Sequence, residues 1–272
     1  KAPITTPQGG GYKSLNVTIR KSLGLYANVR PCRALSPFVS TNFPKMDVVV
    51  VRENEEDLYA GIEYRQTNSV YQGLKLISSH GSERIIRFAF EYVRKFNRKK
   101  IACMMKDNIM KMTDGIFHRL FNQIGQEYSD IDQESYLIDI GAARIATDPE
   151  RFDVIVTQNL YGDIISDITA QLTGSVGMAG SANIGDDIAM FEAIHGSAPD
   201  IAGKGIANPI ASILSFAMAL RYSLDLDKEA DALEKAVQDV LNDGLRTKDI
   251  LSEGMKETST SQMGDAIISK LQ

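Results

Sequence analysis

The sequence predicts an α/β fold with a substantially parallel sheet, on three observations. Short apolar runs alternate with amphipathic stretches along most of the chain, the order expected of strand–helix units. The best run, "MDVVVVREN" (46–54), is β-branched and continuous rather than alternating, as in a strand buried on both faces. Apolar residues make up 43% of the 272, so a sizeable core can form and compositional disorder is excluded.

The elements follow in order. "SPFVSTNFP" (36–44) is a loop between elements. "SERIIRFAFEYVRKFNRKK" (82–100) is a helix with a serine cap at Ser82 and a buried stripe at positions 85, 86, 89, 90 and 93. "KIACMMKDN" (100–108) is a strand and "MKMTDGIFHRLFNQIGQEY" (110–128) a helix. "SYLIDIG" (135–141) is a strand or strand end. "RFDVIVTQN" (151–159) is a strand, with a helix beginning near Gly162. "NPIASILSFAMALRYS" (208–223) and "DKEADALEKAVQDVLNDG" (227–244) are helices, the second closing on Gly244.

Composition narrows the function. The net charge is −5 with both signs spread along the chain, so no basic patch argues for nucleic acid. Cys32 and Cys103 are too few and too far apart for a disulfide framework, which points to a reducing, cytoplasmic compartment. No apolar run approaches the ~20 residues of a membrane helix, and no signal-peptide pattern opens the chain. Its start, "KAPITTPQGGGYKS", reads like the middle of a folded unit, so a fragment is expected.

Ionisable groups gather at the strand ends: Arg52 after "VVVV", Lys106 and Asn108 after "IACMM", Asp139 after "YLI", Asp163 and Asp167 after "DVIV". Ligands of open α/β sheets collect at such ends. Asp163 and Asp167 are four apart and share one face of a helix first turn. Two hard carboxylates so placed suit Mg²⁺ or Mn²⁺; the same acids would also complement the helix dipole. Arg20, Arg30 and Arg52, with Ser14 and Asn16 ahead of them, suit a substrate with several carboxylates. Solvated surface arginines are the alternative for each. The segments 173–185 and 192–209 are glycine-rich but hold neither GxGxxG nor a P-loop lysine. They read as loops whose backbone can approach a cofactor closely, with His195 in one of them. A lone histidine is more often structural. Without HExxH or a cysteine cluster, zinc has no support.

Six motifs occur together: "SLNVTIR", "LYANVRP", "RENEEDLYAGIEY", "KDNIMKMTDG", "NLYGDIISD" and "FEAIHGSAPDIAGKGIANP". In order and spacing they resemble the isocitrate dehydrogenases of the β-decarboxylating dehydrogenase family, from about Thr5 to the C-terminus. The family's N-terminal strand–helix portion is not among the matched segments. The resemblance implies an isocitrate/isopropylmalate dehydrogenase-like fold: two lobes around a cleft, with a dinucleotide site lacking GxGxxG. Residues 1–25, 57–78 and 174–272 would form a large cofactor-binding lobe, and 26–56 with 79–173 a small lobe with a dimer clasp.

The resemblance also implies roles. Ser14, Asn16, Arg20, Arg30 and Arg52 would bind the carboxylates of isocitrate. Tyr59 would protonate the enol after decarboxylation. Lys106 would be the catalytic lysine, reaching into the neighbouring subunit's site. Asp163 and Asp167 would be metal ligands, with Asp139 the third, contributed across a homodimer. Thr5, Thr6, Glu192, His195, Gly196, Asp200, Ile201 and Asn208 match cofactor-contacting positions. NADP-using relatives place Lys and Tyr where this chain has Asp200 and Ile201, and Ala207 suits the NAD pattern, so NAD is the expected cofactor. The expected reaction is metal-dependent oxidative decarboxylation of isocitrate to 2-oxoglutarate and CO₂. Isopropylmalate and homoisocitrate dehydrogenases are the alternatives, along with a non-catalytic regulatory subunit. The intact set Tyr59, Lys106 and three aspartates argues against the last.

Overall fold

The computed structural model describes residues 1–6 and 14–271; the rest of the opening stretch, 7–13, lies outside the described residues. The elements are α1 (Leu15–Ser22), β1 (Ala27–Arg33), β2 (Asp47–Glu53), β3 (Glu63–Arg65), β4 (Tyr71–Gly73), α2 (Ser79–Lys95), β5 (Lys100–Met105), α3 (Thr113–Gly125), β6 (Asp132–Leu137), α4 (Ile138–Thr147), β7 (Val154–Thr157), α5 (Asn159–Leu172), β8 (Gly180–Ile184), β9 (Ala189–Ala193), α6 (Ile210–Ser223), α7 (Asp227–Asn242), β10 (Leu245–Arg246), β11 (Lys256–Glu257) and α8 (Thr260–Lys270). Seven strands form one mixed sheet, ordered β6-β5-β7-β2-β1-β8-β9. The pairs β6–β5, β5–β7 and β7–β2 are parallel; β2–β1, β1–β8 and β8–β9 are antiparallel. The sheet is therefore parallel over one half only.

The continuous valine run of β2 has the cause the sequence suggested. Val49 and Val51 pack on one face with Ile85, Phe90 and Val93 of α2 and Phe117 and Phe121 of α3. Val48 and Val50 pack on the other with Ile145 of α4 and Ile165 of α5. Period-two side chains meeting helices on both sides leave no polar face to write into the sequence. A third cluster joins α6, α7 and α8 through Ile210, Val237, Val240, Met263 and Ile267.

Several boundaries differ from the sequence reading. The cap of α2 is Ser78, whose Oγ accepts from Gly81 N at 2.9 Å; Ser82 is buried inside the helix. Asp139 sits in the first turn of α4, a helix that continues directly from β6. The glycine-rich 173–185 holds β8 rather than a loop, because small residues are needed there. A side chain at Gly180 would meet Ser215 N of α6 at 2.8 Å, so the missing Cβ is what lets helix and strand approach.

Phe90 is fully buried, with ring centroids 5.4 Å from Phe121 and 4.6 Å from Tyr128. Phe90→Ala is expected to cost about 3–5 kcal/mol through lost transfer energy plus the cavity left behind, read from urea denaturation midpoints at constant m-value.

Candidate active site

A pocket of about 190 Å³ opens where β1, β2, α1, α5 and the loop after β9 meet. Ser14, Asn16, Arg20, Arg30, Arg52, Tyr59 and Asp163 line it, with Glu192, His195 and Gly196 on the far wall. Each side chain is placed by its element. Arg30 and Arg52 extend from neighbouring strands, two rungs apart in the β1–β2 register. Ser14 caps α1, and Asn16 and Arg20 lie one turn apart on it. Tyr59 sits in the 3-10 turn Leu58–Ala60, and Asp163 and Asp167 on α5.

The three guanidiniums are nearly buried, at 12%, 5% and 1% side-chain exposure for Arg20, Arg30 and Arg52. Arg52 donates to Asn159 Oδ1 from Nε and Nη2, at 3.0 and 2.8 Å, and pairs with Asp163 through Nη1. Arg30 donates to Asn28 Oδ1 at 2.5 Å and Ser166 Oγ at 2.6 Å, and reaches Asp163 and Asp167 at 3.4 and 3.5 Å. Arg20 donates to Asn54 Oδ1 at 3.3 Å and to Glu192 at 3.2 Å. Burial, and then the neighbouring Arg52, lowers the Arg30 pKa to about 10; the same two causes lower that of Arg20. Clustered buried cations of this kind are costly unless an anion joins them. Among the described residues, two buried polar atoms here lack partners, Arg20 Nε and Asn16 Oδ1.

The anionic side is set by the same residues. Burial pushes the Asp163 carboxyl up, but Arg52 and Arg30 outweigh it and hold it below the usual range. Asp167, more exposed, is raised by burial against the pull of Arg30. Tyr59 donates its hydroxyl to Asp163 Oδ2 at 2.6 Å, and its ring lies 4.9 Å from the Arg52 guanidinium carbon. Burial first raises the phenol pKa, so the hydroxyl keeps its proton.

Lys106 and Asp139 stand apart from this pocket. They pair with each other at 2.7 Å, with Asp139 largely exposed and its pKa lowered by the lysine hydrogen bond. No three His, Cys, Asp or Glu side chains among the described residues form a metal-holding group within one chain. The expected cofactor residues divide. Glu192 joins the pocket wall, held by Lys1, Arg20 and Asn183. Thr6 donates to Ser14 Oγ at 3.1 Å, and Thr5 meets Ser197 Oγ at 2.5 Å, beside Gly196. Asp200 and Ile201 lie in a 3-10 turn further along the loop. Asn208 ties that loop to Asp249 and caps Ile210 N at 2.9 Å. The sequence reading missed the braces Asn28, Asn54, Asn159 and Asn183. Their signal was available: Asn54 follows Arg52 by two in "RENEED", and Asn159 precedes Asp163 by four in "NLYGD".

The model of the family described as isocitrate/isopropylmalate dehydrogenase matches residues 1–267. The chain belongs to that family. It is 58% identical over its whole length to a protein named isocitrate dehydrogenase [NADP] from Rickettsia typhi, of which it covers 56%. It is 46% identical over 97% of its length to a homoisocitrate dehydrogenase from Methanocaldococcus jannaschii, covering 78% of that protein. The structure of isocitrate dehydrogenase from Methylococcus capsulatus superposes with a TM-score of 0.96 at 44% identity, all of this chain on 80% of that one. The chain thus spans about half the length of the first curated relative it matches.

The expectation of NAD is corrected by these family members. Further Rickettsia relatives at 56–57% identity also carry [NADP] in their names. The expectation rested on Asp200 repelling a 2′-phosphate, and the structure leaves Asp200 exposed. The names of the family members, not this one carboxylate, decide against the NAD expectation.

Glu53, next to Arg52, provides a pH test. It is buried and accepts from Glu55 N and Glu56 N, and burial raises its pKa to about 7. A carboxyl raised in the folded state favours folding at low pH, and that contribution is lost as pH climbs from the ordinary carboxyl range through about 7. Glu53→Gln removes this dependence. The wild type is expected to lose stability relative to the variant between pH 5 and pH 8, read from urea midpoints across that range.

Proposed function

We propose that the whole protein is an isocitrate dehydrogenase, oxidising and decarboxylating isocitrate to 2-oxoglutarate and CO₂ with NADP and a Mg²⁺ or Mn²⁺ ion. The observation that carries this reading is the convergence of three buried arginines, a protonated tyrosine and a low-pKa aspartate on one small pocket. NADP follows from the names of the Rickettsia family members. Isocitrate rather than isopropylmalate is supported by polar Ser14 and Asn16 on the pocket wall, which can donate hydrogen bonds to a further carboxylate.

Asp163 and Asp167 fit a divalent cation, because both carboxylates already converge on the Arg30 guanidinium from one face of α5. When bound, the cation and NADP supply Lewis acidity and a hydride acceptor. The chain's own residues do the rest. Arg20, Arg30 and Arg52 bind and orient the carboxylates, and Arg20 Nε gains the partner it lacks. Lys106 with Asp139 takes the hydroxyl proton as C2 is oxidised. Tyr59 gives its proton to C3 once CO₂ has left, and its raised pKa keeps that proton available.

Lys106 and Asp139 reach such a site only from a second copy, so the working unit in this reading is a homodimer with shared sites. Its support is apolar exposure beside the pair: Ile109 at 69%, Met112 at 85% and Ile140 at 46%. The exposed hairpin β3–β4, with Tyr64 and Tyr71, adds a second exposed aromatic surface, within segment 57–78. The lobe division 1–25, 57–78 and 174–272 against 26–56 and 79–173 belongs to the same proposal. Among the described residues no helix is long and apolar enough to cross a membrane, which agrees with a cytoplasmic enzyme.

The test is NADPH formation at 340 nm by the full-length protein with isocitrate and Mg²⁺. Turnover is expected, and Tyr59→Phe is expected to lower kcat by about 10²–10⁴ with little change in KM, the usual worth of a general acid. Turnover of isopropylmalate in place of isocitrate would overturn the substrate assignment.

A further inference from the structure

A buried ionic cluster holds backbone at the two proton-transfer residues, whose side chains bond instead to Asp163 and Asp139. At its centre is Lys75, in the segment between β4 and α2, with its side chain 13% exposed. Its Nζ donates to Asp114 Oδ1 at 2.5 Å, to Gln158 Oε1 at 2.6 Å and to Tyr161 Oη at 3.5 Å. It also lies 4.0 Å from Asp57 Oδ1. Asp57 and Asp114 are 1% and 0% exposed. Neither acid lines the active-site pocket.

Each acid has a second task. Asp57 Oδ1 accepts from Leu58 N and Oδ2 from Leu160 N, both at 2.9 Å, which pins the turn carrying Tyr59 onto the start of α5. Asp57 does this from a left-handed backbone, φ 67°, which a non-glycine residue holds only where its surroundings enforce it. Asp114 Oδ2 accepts from Lys106 N at 2.7 Å, which pins the backbone of Lys106 at the end of β5. Lys75 is the cation between the two carboxylates. Without it, two buried negative charges would face one another unpaired, the costly arrangement for buried ions. Both would shift to reach water or other donors, and each shift would loosen a different proton-transfer residue.

We propose that Lys75 is a positioning residue of the reaction, holding Tyr59 and Lys106 in place through Asp57 and Asp114. The inference rests on the roles given to Tyr59 and Lys106 above. It predicts that one substitution, remote from substrate, impairs both proton transfers while leaving carboxylate binding intact.

The experiment compares Lys75→Met and Lys75→Arg with the wild type in the full-length protein. Three readouts are used: steady-state kinetics, deuterium exchange at C3 of 2-oxoglutarate by NMR, which reports the Tyr59 step alone, and backbone hydrogen exchange by mass spectrometry. For Lys75→Met, kcat and C3 exchange should both fall by about 10–100-fold, the cost of a misplacement near 1 Å. KM should stay within about threefold, because the arginines are untouched. Backbone exchange should rise at 57–61 and 105–115 and not across the chain, and Lys75→Arg should recover part of each loss. Unchanged kcat, a loss confined to KM, or faster exchange everywhere would overturn the proposal. If Lys75→Met does not fold, Lys75→Gln carries the same readouts. If the wild type turns over no isocitrate, the functional reading falls, while hydrogen exchange at the two segments still decides the role of Lys75.

Discussion

The site depends on burying the Arg52 guanidinium at the carboxyl end of a central strand. Among the fully buried side chains Arg52 is the largest, and a charge in that position requires fixed partners. Asn159 and Asp163 supply them from the first turns of α5. The arrangement fits only because Gly162, between them in sequence, has no side chain. A Cβ there would lie 2.5 Å from Arg52 Cγ. The motif "NLYGD" is thus a packing solution as well as a functional one. It brings an arginine stem against a helix backbone and in the same turn aims a carboxylate at the arginine head. Tyr59 then completes the set, with its hydroxyl on Asp163 and its ring near Arg52.

What the sequence made legible follows from this geometry. Apolar runs buried on both faces announce strands, and charges just past them announce a site, so Arg52, Lys106, Asp163 and Asp167 could be singled out without coordinates. The reading failed where small residues serve packing between elements. β8 is written in glycine, alanine and serine because α6 lies against it, and by local propensity that composition says loop. It failed again at α4, which starts within one residue of the end of β6 and leaves no turn signal between them. The shared role of Asn28, Asn54 and Asn183 was not legible for another reason. Asn28 and Asn54 matter through Asn183, whose amide they share across more than a hundred residues of chain.

The cofactor expectation shows a limit of a different kind. The argument from Asp200 let the sign of one carboxylate decide, and the names of the family members overturn it. The sign of a charge is readable from sequence; the dielectric in which it acts is not. The arginines mark the opposite case. Their charge was equally readable, and the alternative of solvated surface residues could be dismissed only once their near-complete burial was seen.

In the proposed dimer, burial also explains why one chain would carry two unequal half-sites. In the proposed reading the pocket gathers three nearly buried guanidiniums, an arrangement that an anionic substrate would complete. The Lys106–Asp139 pair is electrically balanced, with the lysine side chain 22% and the aspartate 65% exposed, so it can keep contact with water until it is covered. Had the lysine been buried beside Arg20, Arg30 and Arg52 within its own chain, a fourth cation would have had to fold into the same pocket with no substrate present. Leaving it partly exposed and paired with Asp139, near exposed Ile109, Met112 and Ile140, defers that cost. In the dimer proposed above, the hydrophobic association of those residues brings the fourth cation to the site. Folding of the single chain and completion of the catalytic charge set then become separate steps, each driven by its own buried surface.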